Sequence, residues 1–311
     1  MLLSVIIPFY NEEEQAIETI TVTQSVLETI PDIDFEIILV DDGSNDQTWA
    51  VMEQAAKNNE HLHILGFSRN FGKEAAICAG LDMAKGDAAV LIDGDLQHPP
   101  QYIPEMVRLW REEGYEVVDG VKAERQKESK LARWTANSFY KIFRKLTKYD
   151  LKDASDFKLL DRKVIDAWKN FGERNTFFRG LSAWLGYRRV TLEFEVADRH
   201  HGKSKWNFRS LMKLSVSALT TFSSAPLHLI VVMGSLFWII AFILGIQTVL
   251  NFFFGDAASG FTTVILLTLI VGGAIMIALG LIGTYIGSIY DEVKQRPRYI
   301  ISRDNKEQKK D

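Results

Sequence analysis

The sequence has little that could crosslink the chain or bind a soft metal. Cys78 is the one cysteine among 311 residues, which excludes an internal disulfide and any cysteine-rich metal site. It lies in an apolar helical stretch, so we expect it to be buried as a small hydrophobic side chain. The chain begins Met-Leu-Leu-Ser without a basic residue, which is unlike the start of a secretory signal peptide.

Charged residues are absent from two long segments near the C-terminus. Residues 214–255 and 257–290 contain no Asp, Glu, Lys or Arg, and each exceeds the roughly 20 residues that cross a bilayer. We therefore predict a membrane region, 214–290, with two transmembrane helices at about 229–250 and 262–286. A buried helical hairpin in a soluble core is the alternative, but apolar runs of this length favour the membrane. The GxxxG spacing of Gly283 and Gly287 is compatible with a homo-oligomer.

Charge is divided unevenly along the chain. Residues 1–120 hold 6 Lys+Arg and 23 Asp+Glu, a net charge of −17, which leaves +13 for the remainder. A basic rear half is expected to meet anions, and beside the apolar segments membrane lipid is favoured over nucleic acid. Basic residues flank the two spans, whereas the connection around Asp256 has none. The positive-inside rule then predicts cytoplasmic termini, a cytoplasmic domain of residues 1–213 and a basic cytoplasmic tail of residues 291–311.

The first 121 residues alternate short apolar runs with amphipathic stretches. The pattern predicts strands at Leu3–Ile7, Phe35–Val40, Leu62–Gly66, Ala88–Ile92 and Glu116–Val121, and helices at Glu12–Thr29, Gln47–Asn58, Gly72–Met83 and Pro100–Glu113. Continuous β-branched runs such as Val5-Ile6-Ile7 are typical of parallel strands covered on both faces. The fold class is therefore α/β, and ligands are expected beyond the carboxyl ends of the strands.

Carboxylates follow three of the predicted strands. Asp93-Gly94-Asp95 follows the fourth strand, and side chains two residues apart on an extended chain can converge on one cation. Mg²⁺ or Mn²⁺, completed by phosphate oxygens, suits such a carboxylate pair. A simple turn is the alternative, because Asp and Gly are common in turns. Asp41-Asp42-Gly43-Ser44 follows the second strand and is open to two roles, a helix-capping box and nucleoside binding.

Basic and amphipathic segments lie between this domain and the spans. Apolar residues recur at helical spacing beside basic ones near residues 128–148, and a second such helix is predicted near 206–214. Both read as interfacial amphipathic helices, with core packing as the rival interpretation. The loop Arg199-His200-His201-Gly202-Lys203-Ser204-Lys205 offers cations for a phosphate, or is a solvated basic loop. Ala197 stands where a P-loop requires its first glycine, so that reading is rejected.

Four motifs occur in an order and spacing that resemble glycosyltransferase family 2. They are Pro8-Phe9-Tyr10-Asn11-Glu12, Val40-Asp41-Asp42-Gly43-Ser44, Arg69-Asn70-Phe71-Gly72-Lys73 and Asp93-Gly94-Asp95-Leu96-Gln97-His98-Pro99-Pro100. The chain looks most like the dolichyl-phosphate-mannose-synthase-like branch, which includes bacterial bactoprenol glucosyltransferases. Ser155-Asp156-Phe157-Lys158-Leu159-Leu160-Asp161-Arg162, the basic loop and the two spans also fit, so the resemblance covers almost the whole chain.

The resemblance implies a GT-A (Rossmann-like) catalytic domain that transfers a hexose, with inversion, from a UDP-sugar to a polyprenyl (undecaprenyl) phosphate at the bacterial cell membrane. By likeness, the nucleotide sugar would be held by Pro8, Tyr10, Glu12, Asp41, Asp42, Lys73, Asp93 and Gly94. The metal would be held by Asp93 and Asp95, and Asp95 and Asp156 would be catalytic. The acceptor phosphate would meet Arg199, His201, Lys203, Ser204 and Lys205.

Several alternatives stay open at this stage. Glucose is the first choice of sugar by likeness, and N-acetylglucosamine or mannose are alternatives. A processive polysaccharide synthase would have a Gln-x-x-Arg-Trp signature, but Lys130-Leu131-Ala132-Arg133-Trp134 lacks the glutamine and precedes Asp156. A non-catalytic membrane sensor of nucleotide sugars is the third reading, and the intact set of carboxylates argues against it.

Overall fold

The computed structural model describes residues 1–57, 59–122, 156–171, 173, 178, 184–195, 225–254 and 260–306. These residues fall into two compact units. One contains the described residues up to Glu195 and again from Arg296 onward, and the other contains the two long C-terminal helices. The basic loop 199–205 and the predicted amphipathic helices near 128–148 and 206–214 lie outside the described residues.

The described part of the first unit contains an eight-stranded mixed sheet. Its strands are β1 (Leu2–Phe9), β2 (Asp34–Asp41), β3 (Leu62–Phe67), β4 (Ala88–Leu91), β5 (Val117–Lys122), β6 (Lys158–Asp161), β7 (Arg189–Phe194) and β8 (Ile301–Asp304). Their order is β7-β5-β6-β4-β1-β2-β3-β8. The central strands β4, β1, β2 and β3 are parallel, as predicted, whereas β6 and β8 run antiparallel to their neighbours.

Helices cover both faces of the central strands. They are α1 (Ala16–Leu27), α2 (Thr48–Ala56), α3 (Lys73–Met83), α4 (Ile103–Glu113) and α5 (Arg162–Lys169). Val5, Ile6 and Ile7 are wholly buried, which explains why their run is apolar without alternation. On the α3 face, a Cβ at Gly80 would lie 2.2 Å from Ile6 Cγ2, so the glycine allows this helix to pack closely on β1.

The predicted capping box before α2 is wrong. Ser44 Oγ instead accepts a hydrogen bond from the Asn11 backbone N–H at 2.9 Å. Asp46 Oδ1 accepts from the Thr48 N–H at 3.0 Å, so α2 begins at Thr48. The Gln47 N–H, which the capping box assigned to Ser44, donates to Glu13 Oε2 at 2.7 Å instead. Asp46 lies nearer to the helix and caps the next amide, a choice that the S-x-x-Q pattern did not distinguish.

The second unit consists of α6 (Ala225–Phe254) and α7 (Phe261–Val293). The apolar windows Ile230–Gln247 and Ile270–Val293 are long enough to cross a membrane. Large apolar side chains on both helices are exposed, including Trp238 at 69 % and Ile277 at 71 %. Apolar surface of this extent needs a lipid or protein covering, and the two helices fit the predicted transmembrane hairpin.

The chain returns to the eight-stranded sheet after α7. Within the segment predicted only as a basic tail, β8 pairs with β3, with Gly66 opposite Arg303. His63 Nε2 on β3 lies 3.0 Å from Asp304 Oδ1 at the end of β8, and both side chains are buried. Four residues at a sheet edge, two of them polar and exposed, carry no period-2 apolar signal, which is why the sequence did not predict this strand.

Candidate active site

The carboxyl ends of β1, β2 and β4 form one edge of the sheet. The chain passes from β1 to β2 and β3 in one direction, whereas β4 lies on the other side of β1. In parallel sheets, ligands bind at such a reversal of strand order. The loops that follow these three strands therefore hold the candidate site, as the sequence predicts.

The loops after β1 and β2 are joined by backbone and side-chain hydrogen bonds. The Asn45 N–H donates to Asn11 Oδ1 and the Glu12 N–H donates to Thr48 Oγ1, both at 2.9 Å. Asn11 has φ of 53°, a left-handed conformation that asparagine tolerates well. The result is a fixed rim from which Tyr10 and Glu12 face the same cavity.

Asp42 is buried and holds the start of α3. Its carboxylate accepts from the Phe71 N–H at 2.7 Å and the Gly72 N–H at 2.9 Å. Gly72 has φ of 99°, which favours glycine. Burial raises the pKa of Asp42, and the two amides offset this only in part. Any nucleoside role of Asp42 is therefore shared with a structural one.

Asp93 and Asp95 lie in a turn rather than on an extended chain. β4 ends at Leu91, and Leu96 has φ of 57°. The predicted i, i+2 geometry of a strand is therefore wrong, yet both carboxylates line one cavity with Gly94 between them. A Cβ at Gly94 would lie 2.5 Å from Glu12 Oε2 and 2.6 Å from Phe9 Cε1, so only glycine fits here.

Lys73 connects two carboxylates that are distant in the sequence. Its Nζ lies 2.6 Å from Asp93 Oδ1 and 2.8 Å from Asp156 Oδ2. Burial lowers the pKa of Lys73, but the two carboxylates outweigh this and raise it. Burial likewise raises the pKa of Asp93, and Lys73 more than reverses the effect, so the pKa is lowered. Lys73 and Asp93 are therefore both charged at neutral pH, and Asp156 lies within ion-pairing distance of the same ammonium.

His98 lies against Asp93 and was not predicted as a site residue. The Asp93 N–H donates to His98 Nδ1 at 3.3 Å, and the ring stacks on Phe157 with centroids 5.3 Å apart. Burial lowers the pKa of His98 below its ordinary value despite the nearby Asp93. The neutral ring therefore accepts a hydrogen bond from the Asp93 amide at Nδ1. Its position five residues after Asp93 in the fourth motif was the available signal.

The structure brings most of the residues predicted to bind the nucleotide sugar to one cavity of about 260 Å³. Its predicted lining residues are Pro8, Tyr10, Glu12, Asp42, Lys73, Asp93, Gly94 and Asp95. We call this space the rim cavity. Asp41 lines a neighbouring cavity instead, and Asp156 reaches the site through Lys73. Arg199, His201, Lys203, Ser204 and Lys205, predicted for the acceptor, lie outside the described residues.

The rim cavity suits a divalent cation that arrives with phosphate. Asp93 and Asp95 offer hard carboxylate oxygens at one wall, which fit Mg²⁺ or Mn²⁺. Among the described residues, no cluster of three or more His, Cys, Asp and Glu side chains could hold an ion. Two carboxylates alone leave several coordination positions to be filled by substrate oxygens and water.

Comparison with known proteins identifies the family. The model of glycosyl transferase family 2 matches residues 4–168. An uncharacterised glycosyltransferase of Bacillus subtilis is 38% identical over 302 residues, covering 96% of this chain and 93% of the relative. A prophage bactoprenol glucosyl transferase homologue of Escherichia coli is 36% identical, over 97% and 99%. The bactoprenol glucosyl transferase of Shigella phage SfV is 35% identical, over 99% and 100%.

The chain belongs to glycosyl transferase family 2 and is a glycosyltransferase. The predicted resemblance to this family and to its bactoprenol glucosyltransferases is confirmed. The predicted α/β GT-A fold with a C-terminal apolar hairpin is also confirmed, by the family match together with the parallel core and the helices α6 and α7.

Proposed function

We propose that this enzyme transfers a hexose, with inversion, from a UDP-sugar to a polyprenyl phosphate such as undecaprenyl phosphate. The observation that carries the proposal is the joint position of Asp93, Asp95, Lys73 and Asp156 at one sheet edge, in a chain that also has two membrane-length helices. Near full-length likeness to bactoprenol glucosyl transferases supports the lipid phosphate as acceptor and glucose as the sugar.

The residues have separable tasks in this reaction. Pro8, Tyr10, Glu12, Asp41 and Asp42 hold the nucleoside, and Asp93 and Asp95 would hold Mg²⁺ or Mn²⁺. That cation, when bound, supplies charge stabilisation for the departing diphosphate. Lys73 adds a second positive charge beside the same carboxylates. The basic residues Arg199, His201, Lys203, Ser204 and Lys205 receive the acceptor phosphate.

In this scheme Asp156 positions the substrates and does not deprotonate the acceptor. The second pKa of a phosphate monoester is about 6, so the acceptor is already largely dianionic at neutral pH. Its oxygen attacks the anomeric carbon, the bond from that carbon to the diphosphate breaks, and no proton has to be removed. Lys73 Nζ donates a hydrogen bond to Asp156 Oδ2 at 2.8 Å, and Lys73 itself lines the rim cavity. This bond holds the Asp156 carboxylate next to that cavity. In this scheme Asp95 and Asp156 are the residues that we assign to the reacting atoms.

The topology supports a cytoplasmic active site on an integral membrane protein. Residues on both sides of the hairpin belong to the catalytic unit, since β8 pairs with β3. Two crossings return the chain to its starting side of the bilayer. With basic residues at both flanks, the positive-inside rule assigns that side to the cytoplasm of a bacterial cell.

Product analysis separates the proposal from its rivals. The purified full-length enzyme is incubated with undecaprenyl phosphate and a panel of labelled UDP-glucose, UDP-N-acetylglucosamine and GDP-mannose. A chloroform-extractable lipid carrying one glucose is expected. A long polymer would support a processive synthase instead, and nucleotide-sugar binding without any product would support a sensor. A lipid carrying N-acetylglucosamine would keep the reaction and replace glucose as the sugar, whereas a lipid carrying mannose from GDP-mannose would overturn the UDP-sugar donor.

A further inference from the structure

Thr19 lies on the buried face of α1 and is bonded to the turn between Asp93 and Asp95. Its side chain is 0% exposed. Its hydroxyl donates a hydrogen bond of 2.6 Å to the Gly94 carbonyl oxygen, 75 positions further along the chain. Gly94 itself lines the rim cavity. This bond therefore ties α1 to the wall that carries both carboxylates, although Thr19 is too deeply buried to touch a ligand.

The direction of this hydrogen bond distinguishes Thr19 from the other hydroxyl residues of α1. The hydroxyls of Thr21 and Ser25 donate to the carbonyl oxygens four residues earlier in the same helix, at 2.8 Å and 2.9 Å. Serine and threonine can make this local bond in any helix. The Thr23 hydroxyl is buried and has no hydrogen-bond partner among the described residues. The Thr19 hydroxyl instead leaves its helix, so its bond is a specific contact with the turn.

A carbonyl group that is held in place fixes its whole peptide unit. The peptide between Gly94 and Asp95 is planar, so the bond from Thr19 sets the orientation in which the Asp95 backbone begins. Glu12 and Phe9 exclude a Cβ at Gly94, and the glycine that they require restricts backbone rotation least. The turn therefore gains its single orientation from a partner outside its own residues.

We propose that Thr19 is a positioning residue for the cation site, and that its hydroxyl holds the Gly94 carbonyl so that the Asp93 and Asp95 carboxylates face the rim cavity together. The inference rests on the proposed function and deepens it, because it assigns a task to a residue outside all four sequence motifs. Without the bond, the turn spends part of its time in orientations in which the two carboxylates diverge. The apparent affinity for a divalent cation then falls in proportion to the fraction of protein in the competent orientation.

Binding of Mn²⁺ to the full-length protein in detergent, with saturating UDP, tests this inference. The electron paramagnetic resonance signal of free Mn²⁺ gives the affinity without any turnover. Thr19→Ala is expected to weaken Mn²⁺ binding about fivefold, which corresponds to the net contribution of one hydrogen bond. Thr23→Ala is the matched control, because it removes the same atoms from the same buried face one turn later. Its Mn²⁺ affinity should stay within about twofold of the wild type.

Two further variants at Thr19 separate the hydroxyl from the rest of the side chain. Thr19→Ser keeps the hydroxyl and is expected to bind Mn²⁺ within about twofold of the wild type. Thr19→Val fills the volume of threonine but cannot donate a hydrogen bond. It takes the place of Thr19→Ala if the alanine variant does not fold, and the same weakening of Mn²⁺ binding is expected.

Two outcomes would overturn the inference and leave the proposed function intact. One is equal Mn²⁺ affinity in Thr19→Ala and Thr23→Ala, and the other is a loss of affinity in Thr19→Ser as large as that in Thr19→Ala. A lower melting temperature of Thr19→Ala with unchanged Mn²⁺ affinity belongs to the first outcome and would indicate a purely structural hydrogen bond. A wild-type protein that binds neither Mn²⁺ nor, by calorimetry, Mg²⁺ in the presence of UDP would instead overturn the cation site of the proposed function.

Discussion

Loss of the carboxylate at Asp119 is expected to destabilise the catalytic unit strongly. Asp119 lies on β5 directly opposite Lys158 on β6, and Lys158 follows Asp156 by two residues. Lys158 Nζ lies 2.6 Å from Asp119 Oδ1, and the two side chains are 0% and 1% exposed. Arg189, half-buried on β7, also donates to Asp119 through Nε at 3.0 Å. Asp119 therefore balances two cations in the sheet.

Loss of Asp119 is expected to lower the free energy of unfolding more than loss of Lys158. Asp119→Asn leaves the Lys158 ammonium buried without its carboxylate, and breaking a buried pair in this way costs about 3–5 kcal/mol. At about 2–4 °C per kcal/mol for a domain of this size, the melting temperature falls by about 6–20 °C. Lys158→Met removes the buried cation and leaves Asp119 paired with Arg189. Its melting temperature should fall by less than half as much.

Thermal unfolding of the full-length protein in detergent, followed by tryptophan fluorescence, measures both variants. Asp166→Asn is the control, because Asp166 is 59% exposed and lies 3.4 Å from Arg162, and such surface pairs contribute about 0–1 kcal/mol. Equal losses for Asp119→Asn and Lys158→Met would refute the reasoning that an unpaired buried cation dominates. So would an Asp119→Asn melting temperature within the range of the control.

Three further predictions concern the active site. Gly94→Ala should raise KM for the donor at least about tenfold, because its Cβ displaces Glu12 and Phe9, and Ala79→Gly in α3 serves as a control for backbone changes outside the cavity. Lys73→Met should lower kcat by about 10²-fold or more through the loss of a cation beside the diphosphate, and Lys73→Arg should restore part of it; equal kcat in all three proteins would contradict this role. The raised pKa of Asp42 predicts that activity falls on acidification at a pH above the ordinary carboxyl value of 3.8. Because the folded protein takes up this proton before the unfolded chain does, protonation of Asp42 does not itself lower the melting temperature. Activity that persists unchanged down to pH 3.8 would contradict the assignment.

The central strands and the loops that hold the site could be predicted because their signals are local. Apolar runs such as Val5-Ile6-Ile7 fixed the strand positions to within two residues, and the motif spacing placed Asp42 and Asp93 at one sheet edge. The conformation around Asp95 was not predictable in the same way. A turn and a strand extension differ there in the backbone dihedral angles of a few residues, and the sequence is compatible with both.

The unpredicted features depend on contacts between distant residues. Lys73 and Asp156 are separated by 83 positions, and only the packing of β6 beside β4 brings them together. The edge strand β8 pairs with β3 across more than 230 residues, and Asp304 at the end of β8 lies against His63 of β3. Such pairings leave no periodic trace in either segment, so they follow from the folded structure alone.

The central claim is that Asp93 and Asp95 of the rim cavity serve a cation-dependent transfer of a hexose to a lipid phosphate. One labelling experiment tests this claim most directly. Purified wild type, Asp93→Asn, Asp95→Asn and the surface control Asp32→Asn are mixed with labelled UDP-glucose and undecaprenyl phosphate, with EDTA and after re-addition of Mg²⁺ or Mn²⁺. We expect lipid-bound label in wild type and Asp32→Asn only when the cation is present, and almost none in the two rim variants. Full labelling of the lipid by Asp93→Asn and Asp95→Asn would contradict the assignment of the site.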